Sequence, residues 1–213
     1  MLTLPLQTLA EVVTGEVVGT PHDVVVNGLA VDSRAVEPGN LFVAFAGERT
    51  DGHLFLGDAV DAGARALLIT AEPGDYRDLI DRASERGVAV VRVRDALTAV
   101  QELARYHRDR IFCPVIGVTG STGKTTTKEF MTSVLGPQLK VIATEGNQNN
   151  ELGVPLTVLR AGADADVLIV EMAMRGAGQI ARLCEVAIPT HGLVTNVGTS
   201  HIELLGSCEA IAD

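Results

Sequence analysis

The sequence predicts an α/β fold with parallel strands, in a small N-terminal α/β unit followed by part of a second, parallel-sheet unit. Three observations predict it. Short β-branched runs alternate with helical patterns along the chain. Residues 115–127, Val-Ile-Gly-Val-Thr-Gly-Ser-Thr-Gly-Lys-Thr-Thr-Thr, join one such run to a helical pattern through a glycine loop. The composition, 46% hydrophobic but only 3% aromatic with 22 glycines, suits strands covered on both faces.

Residues 1–95 form the first predicted unit. Leu6–Val13 reads as a short helix, and Val24–Val31 as a strand broken at Asn27-Gly28. Asp32-Ser33-Arg34 follows directly. After the turn Glu37-Pro-Gly-Asn40, Leu41–Ala46 reads as a buried strand, leading into the polar loop Gly47–His53. A helix over 54–64, a strand over 66–69, a helix over 75–86 closed by Gly87 and a strand over 88–93 complete the unit.

Residues 96–213 form the second. Asp95 can cap a helix over 96–108. Val115, Ile116 and Val118 then mark a buried strand, and Phe130, Met131, Val134 and Leu135 an apolar stripe on the helix beyond the glycine loop, which Gly136-Pro137 stops. Strands follow over 140–144, 167–170 and 192–195, with helices starting near Val154-Pro155 and at Gly178. The chain stops in a helical pattern at Asp213, which reads as a fragment.

The glycine loop is the first candidate site. Glycines let backbone N–H groups turn toward an anion, a helix N-terminus adds partial positive charge, Lys124 can reach outer phosphates and Thr125 can offer its hydroxyl to Mg²⁺. The usual motif has four residues between its glycines. That spacing would put the first at Val118, so only the shorter Gly120-Ser121-Thr122-Gly123-Lys124-Thr125 remains.

Glu171 ends an apolar strand, which places a carboxylate at the edge where such sheets bind ligands and where Mg²⁺ can be held. His201, just past the last strand, can reach the same edge. Asn147, Asn149 and Asn150 are an amide cluster that suits either a ligand or a turn. In the first unit Arg34 and Arg49 suit phosphate, and Ser33 can donate a hydrogen bond.

A formal net charge of −10 argues against nucleic-acid or membrane-surface binding. No stretch approaches the ~20 apolar residues of a membrane span. Cys113, Cys184 and Cys208 lack metal-like spacing, and with no basic leader they suggest reduced thiols in the cytoplasm.

Together these stretches resemble the Mur ligases, ATP-dependent enzymes that build the peptidoglycan stem peptide. The resemblance rests on Asp32-Ser-Arg34, Pro38-Gly39, Leu41-Phe-Val-Ala44, Gly47, Asp51-Gly-His53 and Gly120–Glu129. It rests also on Gly146–Asn150 with Gly153–Thr157, Glu171-Met172 with Met174-Arg-Gly176, Thr195-Asn196, His201 and Gly206-Ser207. The short glycine spacing is the form these ligases use. The Asn-Asn…Gly-Val-Pro-Leu-Thr and Glu-Met-x-Met-Arg-Gly stretches are most similar to the member that joins D-alanyl-D-alanine to UDP-N-acetylmuramoyl-tripeptide.

The resemblance implies a UDP-binding first domain over 1–95 and the N-terminal part of a central ATP-binding domain over 96–213, with the amine-binding domain and a carbamylated lysine beyond Asp213. By motif, Ser33, Arg34, Gly47, Arg49, Asp51, Gly52 and His53 would contact the uridine diphosphate. Gly120 to Thr126 would hold ATP, with Asn150 near the nucleotide or the substrate. Thr125, Glu171 and His201 would hold Mg²⁺, and Lys124 and His201 would be catalytic.

The implied enzyme is cytoplasmic and monomeric, and the 213-residue chain alone is expected to be inactive. Ala173, Ala177 and Gln179 depart from the family's frequent Gly, Pro and Glu. Two alternatives stay open: the neighbouring ligase that adds a single diamino acid to the dipeptide substrate, and a non-catalytic UDP-sugar or nucleotide-binding module.

Overall fold

A computed structural model describes residues 1–19, 23–47, 50–198 and 206–212. The chain divides into two compact α/β units, Met1–Leu103 and Ala104–Asp213.

In the first unit, β1 (Thr3–Pro5), α1 (Leu6–Val12), β2 (Glu16–Val18), β3 (Val25–Asn27) and β4 (Leu29–Ala30) precede β5 (Leu41–Val43) and α2 (Leu56–Asp61). Then come β6 (Ala66–Ile69), α3 (Arg77–Glu85) and β7 (Ala89–Arg92). The division between units falls inside α4 (Ala96–Arg108), which starts where the sequence predicts. Asp95 Oδ1 accepts the Thr98 N–H at 2.7 Å as its cap.

The main sheet has the order β2-β7-β6-β5-β4. All its pairings are parallel except β2 on β7. The predicted strand over 24–31 is broken at Gly28, as expected, but its halves join different sheets: β3 pairs with β1, and β4 with β5. Strands β1 and β2 went unpredicted, because three residues are too few for an alternation to be counted. Phe42, Leu67, Ile69 and Val90 pack with Leu56, Val60 and Ile80 in one core, which fixes α2 and α3 on one face.

The second unit runs β8 (Val115–Thr119), α5 (Lys124–Leu135), β9 (Val141–Ala143), α6 (Gly153–Arg160), β10 (Val167–Glu171), α7 (Gln179–Ala187), β11 (His191–Val194) and α8 (Cys208–Ala212). Its sheet, β11-β8-β10-β9, is parallel throughout. Val118, Val167 and Ile169 meet Met131 and Leu135 of α5. The equally buried Leu168 and Val170 alternate to the other side.

The stripe read on α5 is corrected here. Met131 and Leu135 pack on the sheet, but Phe130 and Val134 are 68% and 71% exposed. At about 100° per residue, positions 130 and 134 lie a quarter-turn from 131 and 135. The buried face continues instead through Lys128.

Two buried side chains from the end of α4 tie the second unit together. Ile188 closes α7 at φ 41°, a costly conformation for a β-branched residue. Arg108 holds it there: Nε donates to the Ala187 carbonyl at 2.8 Å, one terminal nitrogen to Ile188 at 2.9 Å and the other to Ile111 at 2.8 Å.

The neighbouring His107 Nε2 bonds the Ala161 carbonyl at 2.7 Å. Burial pushes the His107 pKa below its usual 6.5, against the opposing pull of that carbonyl. The unfolded chain therefore takes up the proton first, so this contribution to stability is complete above pH 6.5 and is lost as pH falls toward the folded-state value. Thermal unfolding of wild type and His107→Gln at pH 7.5 and about 5.5 tests this. The variant is expected to lose less stability on acidification; equal losses would refute the assignment.

Candidate functional site

Strands β10 and β11, consecutive in the chain, flank β8 on opposite sides. Such a reversal opens a crevice at the carboxyl edge of an open parallel sheet, where ligands bind. The loop Gly120–Gly123 leaves β8 at that edge and enters α5. Gly123, at φ 82°, is the residue before the helix, and no side chain caps it. A helix start of this kind attracts anions through its bare N–H groups. Lys124 Nζ is drawn back over the loop, donating to the Gly120 carbonyl at 2.6 Å and the Ser121 carbonyl at 3.4 Å.

The segment after β11 clamps the loop from outside. The Ser121 N–H donates to the Asn196 carbonyl at 3.0 Å, and the Thr122 N–H to Asn196 Oδ1 at 3.2 Å. Asn196 Nδ2 donates to the Thr122 hydroxyl at 2.9 Å, the Thr195 hydroxyl to the Thr122 carbonyl at 2.6 Å, and the Gly198 N–H to Ser121 Oγ at 2.8 Å. Gly120 has φ 130°, and a Cβ there would lie 2.1 Å from Thr195 Oγ1. Only glycine fits. Thr126 is exposed on the first turn of α5.

On the other side, Glu171 sits opposite Val118 in the β10–β8 register, and it is only 1% exposed. Its Oε1 accepts from the Thr125 hydroxyl at 3.1 Å and from Asn149 Nδ2 at 2.8 Å. Its Oε2 is buried with no hydrogen-bond partner among the described residues. A buried carboxylate oxygen left without a donor, beside a hydroxyl, is an oxygen-only donor set suited to a hard divalent cation that keeps phosphate and water as its other ligands. Mg²⁺ fits these residues. The described residues contain no group of three or more His, Cys, Asp or Glu that would make an all-protein metal cage.

The structure therefore brings Gly120–Thr125 and Glu171 together. Asn150 turns elsewhere: its Oδ1 accepts the Leu152 and Gly153 N–H groups at 3.2 and 2.9 Å and fixes the start of α6. His201 and Arg49 lie outside the described residues.

In the first unit a cavity of about 640 Å³ is lined by Ser33, Arg34, Gly47, Gly52 and Phe45, with Asp32 at its side. Arg34 is turned onto Asp32 through two side-chain bonds of 2.9 and 2.6 Å, and this holds the Asp32 carboxyl down at about 2. A phosphate would compete with Asp32 for that guanidinium.

His53 is part of the scaffold. It is 3% exposed; Nδ1 bonds Asp51 Oδ1 at 2.6 Å, and Nε2 accepts the Thr70 and Ala71 N–H groups at 3.1 and 3.3 Å. With Nε2 accepting, Nδ1 is the ring atom that meets Asp51, and Asp51 lies below the usual carboxylate range because the His53 N–H and ring bond it.

Comparison with known proteins decides the family. The family model described as "Mur ligase family, catalytic domain" matches residues 25–108, and "Mur ligase middle domain" matches residues 118–213. A UDP-N-acetylmuramoyl-tripeptide–D-alanyl-D-alanine ligase from Synechocystis sp. is 46% identical over 98% of this chain and 44% of its own length. Among solved structures, MurF from Acinetobacter baumannii superposes with a TM-score of 0.81 at 29% identity, over 98% of this chain and 45% of that one. A MurF ligase from Thermotoga maritima, solved in complex with ADP, superposes at 0.72 with 35% identity, over 87% and 41%.

The chain belongs to the Mur ligase family. It spans about 45% of the length of the curated relatives it matches.

Several residues of this candidate site are not legible as such in the sequence. Asn149 was seen within an amide cluster, but nothing local distinguishes it from Asn150. Thr144, 2% exposed, accepts the Glu171 N–H on its hydroxyl at 2.9 Å. Its position at the carboxyl end of a predicted strand, the same edge as Glu171, was the available signal. Asn196 had only its place in the resemblance, because its partners are 74 residues away.

Gly120→Ala is expected to destabilise the chain by about 1–3 kcal/mol through backbone strain and the clash with Thr195. Asn196→Ala is expected to cost about 1–2 kcal/mol through its lost amide bonds to Thr122. Denaturant unfolding measures both. Wild-type stability for Gly120→Ala would mean that the clamp does not hold the loop as described.

Proposed function

We propose that this chain supplies the UDP-substrate and ATP sites of an enzyme that joins D-alanyl-D-alanine to UDP-N-acetylmuramoyl-tripeptide in cytoplasmic peptidoglycan precursor synthesis. Residues 1–95 would hold the UDP end of the sugar-peptide, and residues 96–213 the nucleotide. The observation that carries the reading is the convergence of Lys124, Thr125 and Glu171 on one crevice, with a buried Glu171 oxygen that no described group satisfies. The choice of substrate pair is supported by the names of the relatives that match.

The chemistry is the one that the resemblance to the Mur ligases implies. The tripeptide carboxylate attacks the γ-phosphorus of ATP, giving an acyl phosphate and ADP; the amine of D-alanyl-D-alanine then displaces phosphate from the acyl carbon. The N–H groups of Gly123 and the first turn of α5 would hold the phosphates, while Asn196 keeps the Ser121 and Thr122 N–H groups. Lys124, swung off the Gly120 carbonyl, offsets charge on the oxygens of the transferring group. Thr125 and Glu171 Oε2 would hold Mg²⁺. The ion supplies charge neutralisation at the outer phosphates. His201 is proposed as a further ligand on motif alone. In the first unit, Ser33 and the backbone at Gly47 and Gly52 would receive the uridine diphosphate, with Arg34 exchanging Asp32 for a phosphate.

Phosphate release by the full-length gene product with Mg-ATP tests this. Turnover is expected with UDP-N-acetylmuramoyl-tripeptide plus D-alanyl-D-alanine, and not with the dipeptide substrate plus one diamino acid. The reverse pattern would mean the neighbouring ligase. Lys124→Ala is expected to lower turnover by about 100-fold or more; near-normal turnover would remove Lys124 from the mechanism.

A further inference from the structure

Among the described residues of the second unit, Lys128 is the most deeply buried cation, at 1% exposure. A buried ammonium is retained only where its hydrogen bonds compensate for lost water. Its Nζ donates to the Thr144 carbonyl at 2.7 Å and pairs with Glu129 Oε1 at 2.8 Å, a carboxylate that is itself largely exposed.

Thr144 is the junction. Its N–H donates to the Ile169 carbonyl at 3.0 Å, its hydroxyl accepts the Glu171 N–H at 2.9 Å, and its carbonyl takes Lys128. All three of its polar groups are therefore committed, two of them to β10. Lys128 stands three residues after Thr125, on the same face of α5. One helix face thus sends a hydroxyl to the Glu171 carboxylate and an ammonium to the residue that holds the Glu171 backbone.

A second cation braces the same strand end. One Arg160 terminal nitrogen donates to the Ala143 carbonyl at 2.7 Å, and the other pairs with Glu145. The loop that follows delivers Asn149 to Glu171.

We propose that Lys128 is a positioning residue for the magnesium–phosphate site: through Thr144 it fixes where Glu171 presents its free oxygen. This rests on the reading that Thr125 and Glu171 hold Mg²⁺ with the nucleotide. Lys128 touches neither.

The test is calorimetric titration of the full-length gene product with ADP, with and without Mg²⁺. The readout is the gain in ADP affinity that Mg²⁺ confers. Lys128→Met, or Lys128→Gln should it fail to fold, keeps a flexible stem one atom shorter and removes the charge that the Thr144 carbonyl receives; Thr144→Val keeps the shape and removes only the hydroxyl that accepts the Glu171 N–H, and so tests the second link. Both are expected to reduce the magnesium gain by about tenfold while leaving metal-free ADP affinity within about twofold, as for other residues that orient a metal ligand. A role confined to folding would lower the active fraction and leave the gain unchanged.

Glu171→Gln separates the two layers of the argument. If it abolishes the gain while Lys128→Met and Thr144→Val keep it, the proposal is overturned and the metal reading stands. If Glu171→Gln keeps the gain, the metal reading and the proposal fall together. Equal losses with and without Mg²⁺ in Lys128→Met would also overturn the proposal, since they would place its effect on the loop as a whole.

Discussion

A buried carboxylate with only one oxygen satisfied among the described residues is the constraint around which the second unit is arranged. Glu171 reaches that position because β10 is covered on both faces and pairs in register with β8. The cost of an unpaired buried oxygen is tolerable only if some other group completes it. The groups nearby hold the rest of the residue: Thr125 and Asn149 occupy Oε1, and Thr144 occupies the backbone N–H. The glycine loop is held as firmly from the opposite side by Thr195 and Asn196. The site thus lies between two strands that are neighbours of β8 in space and far from it in sequence.

The first unit uses a different economy. Its candidate cavity is edged by loops that hydrogen-bond to themselves. Arg34 is pre-folded onto Asp32, and the backbone at Gly52 passes so close to Phe45 that a Cβ would lie 2.8 Å from its N–H nitrogen. His53 secures the loop by joining it to the end of β6. A motif histidine can therefore serve its loop from within, since a ring with both nitrogens engaged has no polar atom left to offer.

Much of this was legible in the order of residues. The glycine loop is read because strand, glycines, lysine, threonine and helix must be contiguous for an anion to be cradled. Glu171 is read because an apolar run ending in a carboxylate is a local pattern with a definite place in a parallel sheet. Lys128 was not legible: a lysine in a helix is ordinarily a solvated side chain, and its burial follows from the rotation of α5 on the sheet. The same rotation exposes Phe130 and Val134, which periodicity alone had placed inside.

The sequence by itself determined the α/β class, nearly all the elements and the glycine loop between β8 and α5, because these depend on periodicities and turn residues within about a dozen positions of each other. The tertiary structure alone decided which amide meets Glu171, which threonine holds its backbone, and which helix face is buried. Those choices are made by strand order and register. The strand order sets β10 and β11 on either side of β8, and so brings together residues 46, 22 and 74 positions apart in the chain.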